Sequence, residues 1–349
     1  GKKGSMLIPS EIKDETELDA VLTQPGPELI EQIRSVASPL LIPGAGGKMG
    51  PTLAVMARRA AEAAGHPLEV VAVSRFTNRA ARDWLEQRHV KTIACDLLDP
   101  EAVAQLPDTS NLVYLVGLKF GTSGDPAATW AANTIIPANL CRRYPKARTV
   151  ALSTGNVYPL VSVNGPGSGE DAPLTPHGEY PNAAVARERI FQFYAARHQT
   201  PLVLLRLFYA VELRYGIVSD LARSILHGTP IDLRTGSFNC IWQRDACDMI
   251  LRALPLAAAP SAVYNLSRCE TYSVRNTAVE LGERLGAAPL FQEAEENTAL
   301  LGDCARLRDA LGLPATPMNK ILDWTAGWVK NGGRDLGRPT HFEVRDGAF

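Results

Sequence analysis

The sequence lacks any apolar run of the roughly 18 residues that a membrane-spanning helix requires, so no membrane span is expected. Lys2 and Lys3 are not followed by an apolar segment of the secretory type, and a cytoplasmic location is expected. There is no long basic run, and 36 Lys plus Arg against 37 Asp plus Glu leave a net charge of -1. That balance argues against a nucleic-acid or lipid surface and favours a small-molecule partner. The six cysteines (Cys95, Cys141, Cys240, Cys247, Cys269, Cys304) form no Cys-x-x-Cys pair and no cluster with histidine at zinc-ligand spacing. No metal site is expected, and the thiols read as reduced. Internal repeats and low-complexity tracts are missing as well.

What is present suits one large α/β domain or two modest ones, since 349 residues can bury a substantial core. Gly1–Ser5 ahead of Met6 reads as a tag remnant outside the fold. Residues 9 to 37 carry helical patterning broken at Pro25-Gly26-Pro27, which predicts two short helices with a structural or oligomeric role. A homodimer is among the assemblies this allows. From Pro39, short apolar runs alternate with helical segments, the pattern of an α/β protein with a doubly wound parallel sheet of Rossmann type. Strands are expected at 39–43, 68–73, 91–95, 111–116, 148–153, 202–207 and 262–266. Helices are expected at 48–65, 77–88, 100–105, 126–144, 181–198, 217–227 and 244–254. From about residue 271 the pattern predicts two or three helices with loops, carrying Trp324 and Trp328. The implied division is an extension over 1–37, a dinucleotide-binding domain over 38–207 and a smaller C-terminal region, mainly substrate-binding, over 208–349. Within that last part, 236–268 returns to the Rossmann domain.

The first expected strand runs into Gly44-Ala-Gly46-Gly47-Lys-Met-Gly50 and then a helix rich in Ala and Arg. Gly44 permits the tight turn, Gly47 lets the backbone approach a pyrophosphate, and Gly50 lets the helix sit close on the strand. The helix N-terminus then faces the phosphates with its amides and positive dipole end. The second strand ends Val73-Ser74-Arg75, without the acid that a ribose 2′-hydroxyl would call for. Ser74 and Arg75 suit a 2′-phosphate instead, so NADP(H) is the expected cofactor, with NAD(H) as the alternative.

With these residues in view, the chain resembles the extended short-chain dehydrogenase/reductase superfamily, in particular its NAD-dependent epimerase/dehydratase group, from about Pro39 to about Trp328. Asp96 and Leu97 are similar to the family's adenine contact, Gly117 to the small-residue strand end beside the cofactor, and Asn133 to a structural Asn. Leu152-Ser153-Thr154-Gly155-Asn156-Val157-Tyr158 resembles the Ser-Ser/Thr-x-x-Val-Tyr segment and places Thr154 at the catalytic hydroxyl. Val263-Tyr264-Asn265-Leu266 resembles the late Tyr-Asn strand end. Glu179-Tyr180-Pro181-Asn182-Ala183-Ala184 aligns with the Tyr-x-x-x-Lys helix, with Tyr180 as the acid/base.

The lysine is absent, because position 184 is Ala. In the family the lysine holds the nicotinamide ribose and lowers the tyrosine pKa. A tyrosine with its ordinary pKa of roughly 10 is a poor base at neutral pH. Three readings stand open. Arg187, three residues beyond Ala184 on the same stripe, substitutes as a cation that cannot relay a proton. Alternatively the chain only binds NADP(H) and has lost redox chemistry. In the third, Ala184 is an engineered substitution.

On the substrate side, Asn239 and Cys240 are uncharged where the family's nucleotide-sugar enzymes commonly carry a base, and Arg244 adjoins Asp245 at a helix start. This favours a free sugar, sugar acid or polyol-like carbonyl over a nucleotide sugar. His177 reads as a substrate contact or a solvated loop residue, and Trp242 as core before pocket. The polar tail His341–Asp346 reads as a cover for the pocket or a neighbouring subunit, or as a loosely ordered terminus. The expected function is an NADP(H)-dependent oxidoreductase or epimerase acting on a sugar-like carbonyl or hydroxyl substrate, with a non-catalytic NADP(H)-binding protein as the alternative.

Overall fold

The structure, a computed structural model, describes residues 6–117 and 124–348. Gly1–Ser5, read as a tag remnant, lies outside the described residues. Seven strands form one parallel sheet: β1 (Leu40–Pro43), β2 (Val70–Ser74), β3 (Lys91–Ala94), β4 (Asn111–Tyr114), β5 (Arg148–Thr154), β6 (Leu202–Leu207) and β7 (Ala262–Leu266). Their order is β7-β6-β5-β4-β1-β2-β3, so the winding reverses between β1 and β4. Such a reversal opens a crevice at the carboxyl ends of the strands. The chemistry of the strands explains their position. β1 is Leu-Leu-Ile-Pro with all four residues buried, the continuous apolar run of a strand covered on both faces.

Among the described residues, twelve helices flank the sheet or extend it: α1 (Glu15–Leu22), α2 (Pro27–Ile33), α3 (Gly50–Ala63), α4 (Arg79–Glu86), α5 (Pro100–Ala104), α6 (Pro126–Arg143), α7 (Glu179–His198), α8 (Ile217–His227), α9 (Gln243–Arg252), α10 (Val274–Leu285), α11 (Ala305–Leu311) and α12 (Met318–Lys330). One face of the sheet is covered by α3 and α9, where Leu53, Met56 and Ile250 pack with Leu29 and Ile33 of α2. The other is covered by α6 and α7 through Leu140 and Phe191. A further core joins α8, α10 and α12 around Trp242, Trp324 and Trp328.

The N-terminal extension is built into the molecule. Leu18 and Leu22 of α1 enter the C-terminal core while α2 enters the sheet core. The linker between them is tied to α9, where Gly26 N donates to Asp248 and Arg244 Nε donates to Gln24 O at 2.8 Å. Among the described residues no helix is long and apolar enough to cross a membrane, and no group of His, Cys, Asp or Glu is arranged to hold a metal.

Candidate nucleotide-binding active site

The glycine turn closes tightly at the switch point. Gly44 has a φ of +85°, and a Cβ there would lie 2.4 Å from Val116 N. Only glycine combines that backbone angle with that approach. A Cβ at Gly50 would meet the Ala45 backbone at 2.4 to 2.5 Å, so its smallness serves the turn itself. Gly46 is needed too, because its Cβ would fall 2.3 Å from Ser74 Oγ. Gly47 differs from all three, since a Cβ there would touch only Gly44 O at 3.4 Å and would otherwise project into open space. The helix behind the turn, α3, has no side-chain cap on its first amides, as is also the case for α7, α8 and α9, but α3 alone of these starts at the glycine turn. Uncapped first-turn amides are donors left for an anion.

A cavity of about 660 Å³ extends from this turn. Gly44, Gly47 and Gly50 line it together with Gly117, Thr154, Tyr180 and Arg187. Thus the structure brings most of the candidate site residues onto one wall. Ser74 and Arg75, at the end of β2, and Asp96 and Leu97, after β3, do not line it. Arg75 pairs with Asp96 at 3.3 Å, both exposed. Leu97 is buried, and its carbonyl accepts from Asn139 Nδ2.

Thr154 ends β5, in register with Leu207 of β6. Its Oγ1 accepts from the backbone N and from Nδ2 of Asn156, each at 3.1 Å. With both acceptor positions engaged, the hydroxyl proton is left to donate into the cavity. Tyr180 stands in the first turn of α7, buried, on the same wall. Arg187 is 3% exposed and clamped. Its Nε and Nη2 donate to Asn133 Oδ1 at 2.9 and 2.7 Å, and Nη1 donates to Leu152 O at 3.0 Å. Asn133 and Arg187, singled out separately in the sequence, are therefore one unit. The Nη2 atom also lies 3.8 Å from where a Gly117 Cβ would be. Ala184 is fully buried in a small apolar cluster with Val157, Tyr158 and Phe208.

Beneath this wall runs a buried polar network. Ser153 Oγ donates to Glu188 Oε2 at 2.6 Å, and Arg206 holds Glu188 through Nη2–Oε1 at 2.7 Å and Nε–Oε2 at 3.0 Å. Arg206 Nη1 donates to Tyr158 Oη, which donates to Asn265 Oδ1 at 2.7 Å. Burial pushes the Tyr158 phenol up to about 12, so it stays protonated and serves as a strut. Ser153 on β5 and Glu188 on α7, the elements that carry Thr154 and Tyr180, are thus joined with Tyr158 and Asn265 in one buried network.

The rest of the cavity lining was not legible in advance. Lys48 extends from the glycine turn with Nζ 3.1 Å above the ring centroid of Tyr215. Burial pushes its ammonium down to about 7, against the pull of Glu212 and Asp220. The available signal was a lysine inside a turn otherwise made of Gly, Ala and Met. Tyr209 holds a left-handed φ of +40° at the end of β6, a conformation costly for a non-glycine residue and commonest at functional sites. The last segment lining the cavity is the tail, Gly337–His341. It is pinned by Asp220, which accepts from Thr340 N and Oγ1 at 3.0 and 2.8 Å, and by Arg345, which bonds Thr298. The tail therefore covers the cavity of its own chain, and it presents Arg338 to it. That guanidinium is exposed and makes no hydrogen bond or ion pair among the described residues.

Other candidates lie elsewhere. Arg244 is buried and bonds Gln24 O, Asp245 and Asp248. Asn239 bonds Glu270 O and Gly302 N. Trp242 is fully buried against Trp324. His177 is exposed on a smaller pocket beside the tail.

A glycine turn, an uncapped helix and a cavity at the reversal of a parallel sheet define a nucleotide-binding α/β protein of Rossmann type. The chain belongs to the NAD dependent epimerase/dehydratase family, whose sequence profile matches residues 40–267. Solved structures share the fold at low identity. The UDP-glucose 4-epimerase of Thermus thermophilus, in complex with NAD, aligns with a TM-score of 0.66 at 20% identity, covering 83% of this chain and 98% of that one. The dTDP-glucose 4,6-dehydratase of Bacillus anthracis, also with NAD, aligns at 0.71 and 16%, covering 85% and 97%. The UDP-glucose 4-epimerase of Thermotoga maritima, with UDP-glucose, aligns at 0.66 and 17%, covering 84% and 98%. No curated protein sequence matches this chain.

Proposed function

We propose that this chain is an NADP(H)-dependent oxidoreductase or epimerase acting on a sugar-like carbonyl or hydroxyl substrate. The observation that carries the reading is the cavity joining the glycine turn to Thr154 and Tyr180, lined by Lys48, Arg187 and Arg338 and by no carboxylate among the described residues. Such a lining suits anionic ligands, and the volume is that of an ordinary ligand site. Crystallised NAD complexes of the Thermus and Bacillus proteins and the UDP-glucose complex of the Thermotoga protein support the ligand classes.

The residues present fit a dinucleotide. The first-turn amides of α3 and the open side of Gly47 would hold the pyrophosphate, Gly117 and Arg187 would border the nicotinamide ribose, and Asp96 and Leu97 the adenine. When bound, the nicotinamide supplies the hydride donor or acceptor. Thr154 donates a hydrogen bond to the substrate oxygen, and Tyr180 gives or takes its proton. The exposed Arg75–Asp96 pair contributes little on its own, which leaves Arg75, beside Ser74, available to a 2′-phosphate. NADPH is expected to bind more tightly than NADH by about one to two decades, the equivalent of a charge-assisted contact of roughly 1.5–3 kcal/mol. Arg75→Ala should close most of that gap in calorimetric titrations. Equal affinities before mutation would remove the argument for NADP(H).

Arg338 fits an acidic group on the substrate, a carboxylate or a phosphate. Arg338→Ala is expected to raise KM about tenfold or more for a substrate carrying such a group while leaving kcat within about twofold, the signature of lost uniform binding. An unchanged KM for acidic substrates would free Arg338 from that role.

The second reading, a protein that binds NADP(H) without turnover, is favoured by the packed Ala184. A titration with NADPH and NADH, paired with single-turnover absorbance at the nicotinamide band over glucose, galacturonate and UDP-glucose, separates the two. Binding without hydride transfer selects the second reading, and no binding rejects both.

A further inference from the structure

Three cations line the cavity among the described residues, and they are not equivalent. Arg187 is clamped by Asn133 and Leu152, and Arg338 is an exposed guanidinium on the tail. Neither can release a proton near neutrality, because arginine stays charged in proteins. Lys48 is the amine among them. Its ammonium is docked on the face of Tyr215 at 3.1 Å, well inside the roughly 6 Å reach of a cation–π contact. Tyr215 in turn feels the hydroxyls of Tyr180 and Tyr209 electrostatically, as well as Arg338 and Asp220. Four titratable groups, one amine and three phenols, therefore share this end of the cavity.

We propose that Lys48 supplies the amine that works with the cavity tyrosines as the acid–base group of the site, in place of the lysine that α7 lacks. The inference rests on the proposed redox function for its catalytic meaning. Lys48 meets Tyr215 on the face of its ring, and Tyr180, Tyr209 and Tyr215 line the same cavity as the amine, so together they form one set of proton-carrying groups. With Lys48 in the set, one proton is exchanged near pH 7, where burial holds the amine, whereas burial pushes the Tyr209 phenol up to about 12 and raises Tyr215 as well. When the substrate hydroxyl is oxidised, its hydride leaves for the nicotinamide and its proton enters this set, which passes one proton to water. Reduction runs the same path backward. Lys48 acts through the tyrosines and is in that sense a positioning and charge-setting residue.

The groups that face Lys48 fix the sign. Glu212 and Asp220 favour the charged amine, Cys247 does so weakly, and Arg214 opposes it, while burial is the largest influence and favours the neutral form. Tyr180, Arg187, Arg338 and His341 complete the wall.

Two measurements test this. In NMR titration of the free protein with lysine labelled at the ε-carbon, one resonance should move with a midpoint of about 7 and should be missing in Lys48→Met. Lysine midpoints that all lie near the ordinary value of roughly 10 would overturn the proposal. In single-turnover hydride transfer, Lys48→Met should move the acid limb of the pH profile from near 7 well into the alkaline range, because burial holds the Tyr209 and Tyr215 phenols protonated. The rate at pH 7 should fall about 10²- to 10³-fold and recover at high pH. A variant that weakens NADPH binding and leaves the limb in place would make Lys48 a phosphate contact only and overturn the proposal. Lys48→Gln replaces the Met variant if near-ultraviolet circular dichroism shows that Met disturbs the fold. If the unmutated protein shows no turnover, the proposed function falls, and the NMR midpoint still decides whether Lys48 is the amine that titrates near 7.

Discussion

Glu188→Ala is expected to destabilise the protein by about 3–5 kcal/mol, since it strips a fully buried guanidinium of its counter-ion. Glu188 is 0% and Arg206 3% exposed, and they meet through both carboxylate oxygens. Arg206 keeps its bonds to Tyr158 and the Glu170 carbonyl, but those partners are neutral and cannot offset a buried charge. The loss would be a large share of the roughly 5–15 kcal/mol that holds a typical domain together. An exposed pair sets the contrast: Arg82 and Glu86 meet at 3.3 Å on α4, and Arg82→Ala should leave the urea midpoint close to that of the unmutated protein. Urea unfolding of both variants provides the measurement. A loss below about 1 kcal/mol for Glu188→Ala would mean that water enters and relieves Arg206, and that the network is not what fixes Ser153 beside Thr154.

How much of this was legible in the sequence follows from where each interaction lies along the chain. The central strands could be read because buried parallel strands are continuous apolar runs, the half-exposed edge strand β3, Lys-Thr-Ile-Ala, from its place in the alternation of strands and helices, and the boundaries moved by at most two residues, as with β4 ending at Tyr114. Gly44 and Gly47, Thr154 and Tyr180 were legible because local spacing after a strand or at a helix start fixes what a side chain can face. The frame below them was legible only as separate family-like positions such as Ser153, Tyr158 and Asn265, and the bonds that join them were not. Ser153, Glu188, Arg206, Tyr158 and Asn265 are polar residues from β5, α7, β6, β7 and the loop after β5, and no local pattern says that they converge. Arg244 shows the same limit. Its adjacency to Asp245 was visible, but its engagement with Gln24 depends on how the N-terminal extension folds back. Lys48 over Tyr215 and Arg338 beside the cavity bring distant segments together, and Arg338 lies just ahead of the polar tail His341–Asp346, whose part as a pocket cover the sequence left open.

Tyr180→Phe is expected to lower hydride transfer by about 10²- to 10⁴-fold, the usual contribution of a general acid or base. NADPH affinity should stay within about twofold, since the role proposed for the phenol is a proton exchanged with the substrate and not a contact with the pyrophosphate. The companion variant is Ala184→Lys, which restores the missing residue in name. Ala184 is fully buried against Val157, Tyr158 and Phe208, and Phe208 already lies against Gly155, where an added Cβ would fall 2.5 Å from its ring. A lysine stem there must displace a packed aromatic ring, an overpacking cost of about 1–3 kcal/mol before its charge is placed. The expected outcome is therefore a less stable protein with no faster hydride transfer, because the cavity takes its amine from the glycine turn. Single-turnover rates and urea midpoints on the two variants check this together. A tenfold gain in rate for Ala184→Lys, with stability kept, would show that the site is a damaged version of its family's arrangement rather than a rebuilt one. Undiminished transfer in Tyr180→Phe would move the proton to another group on the wall.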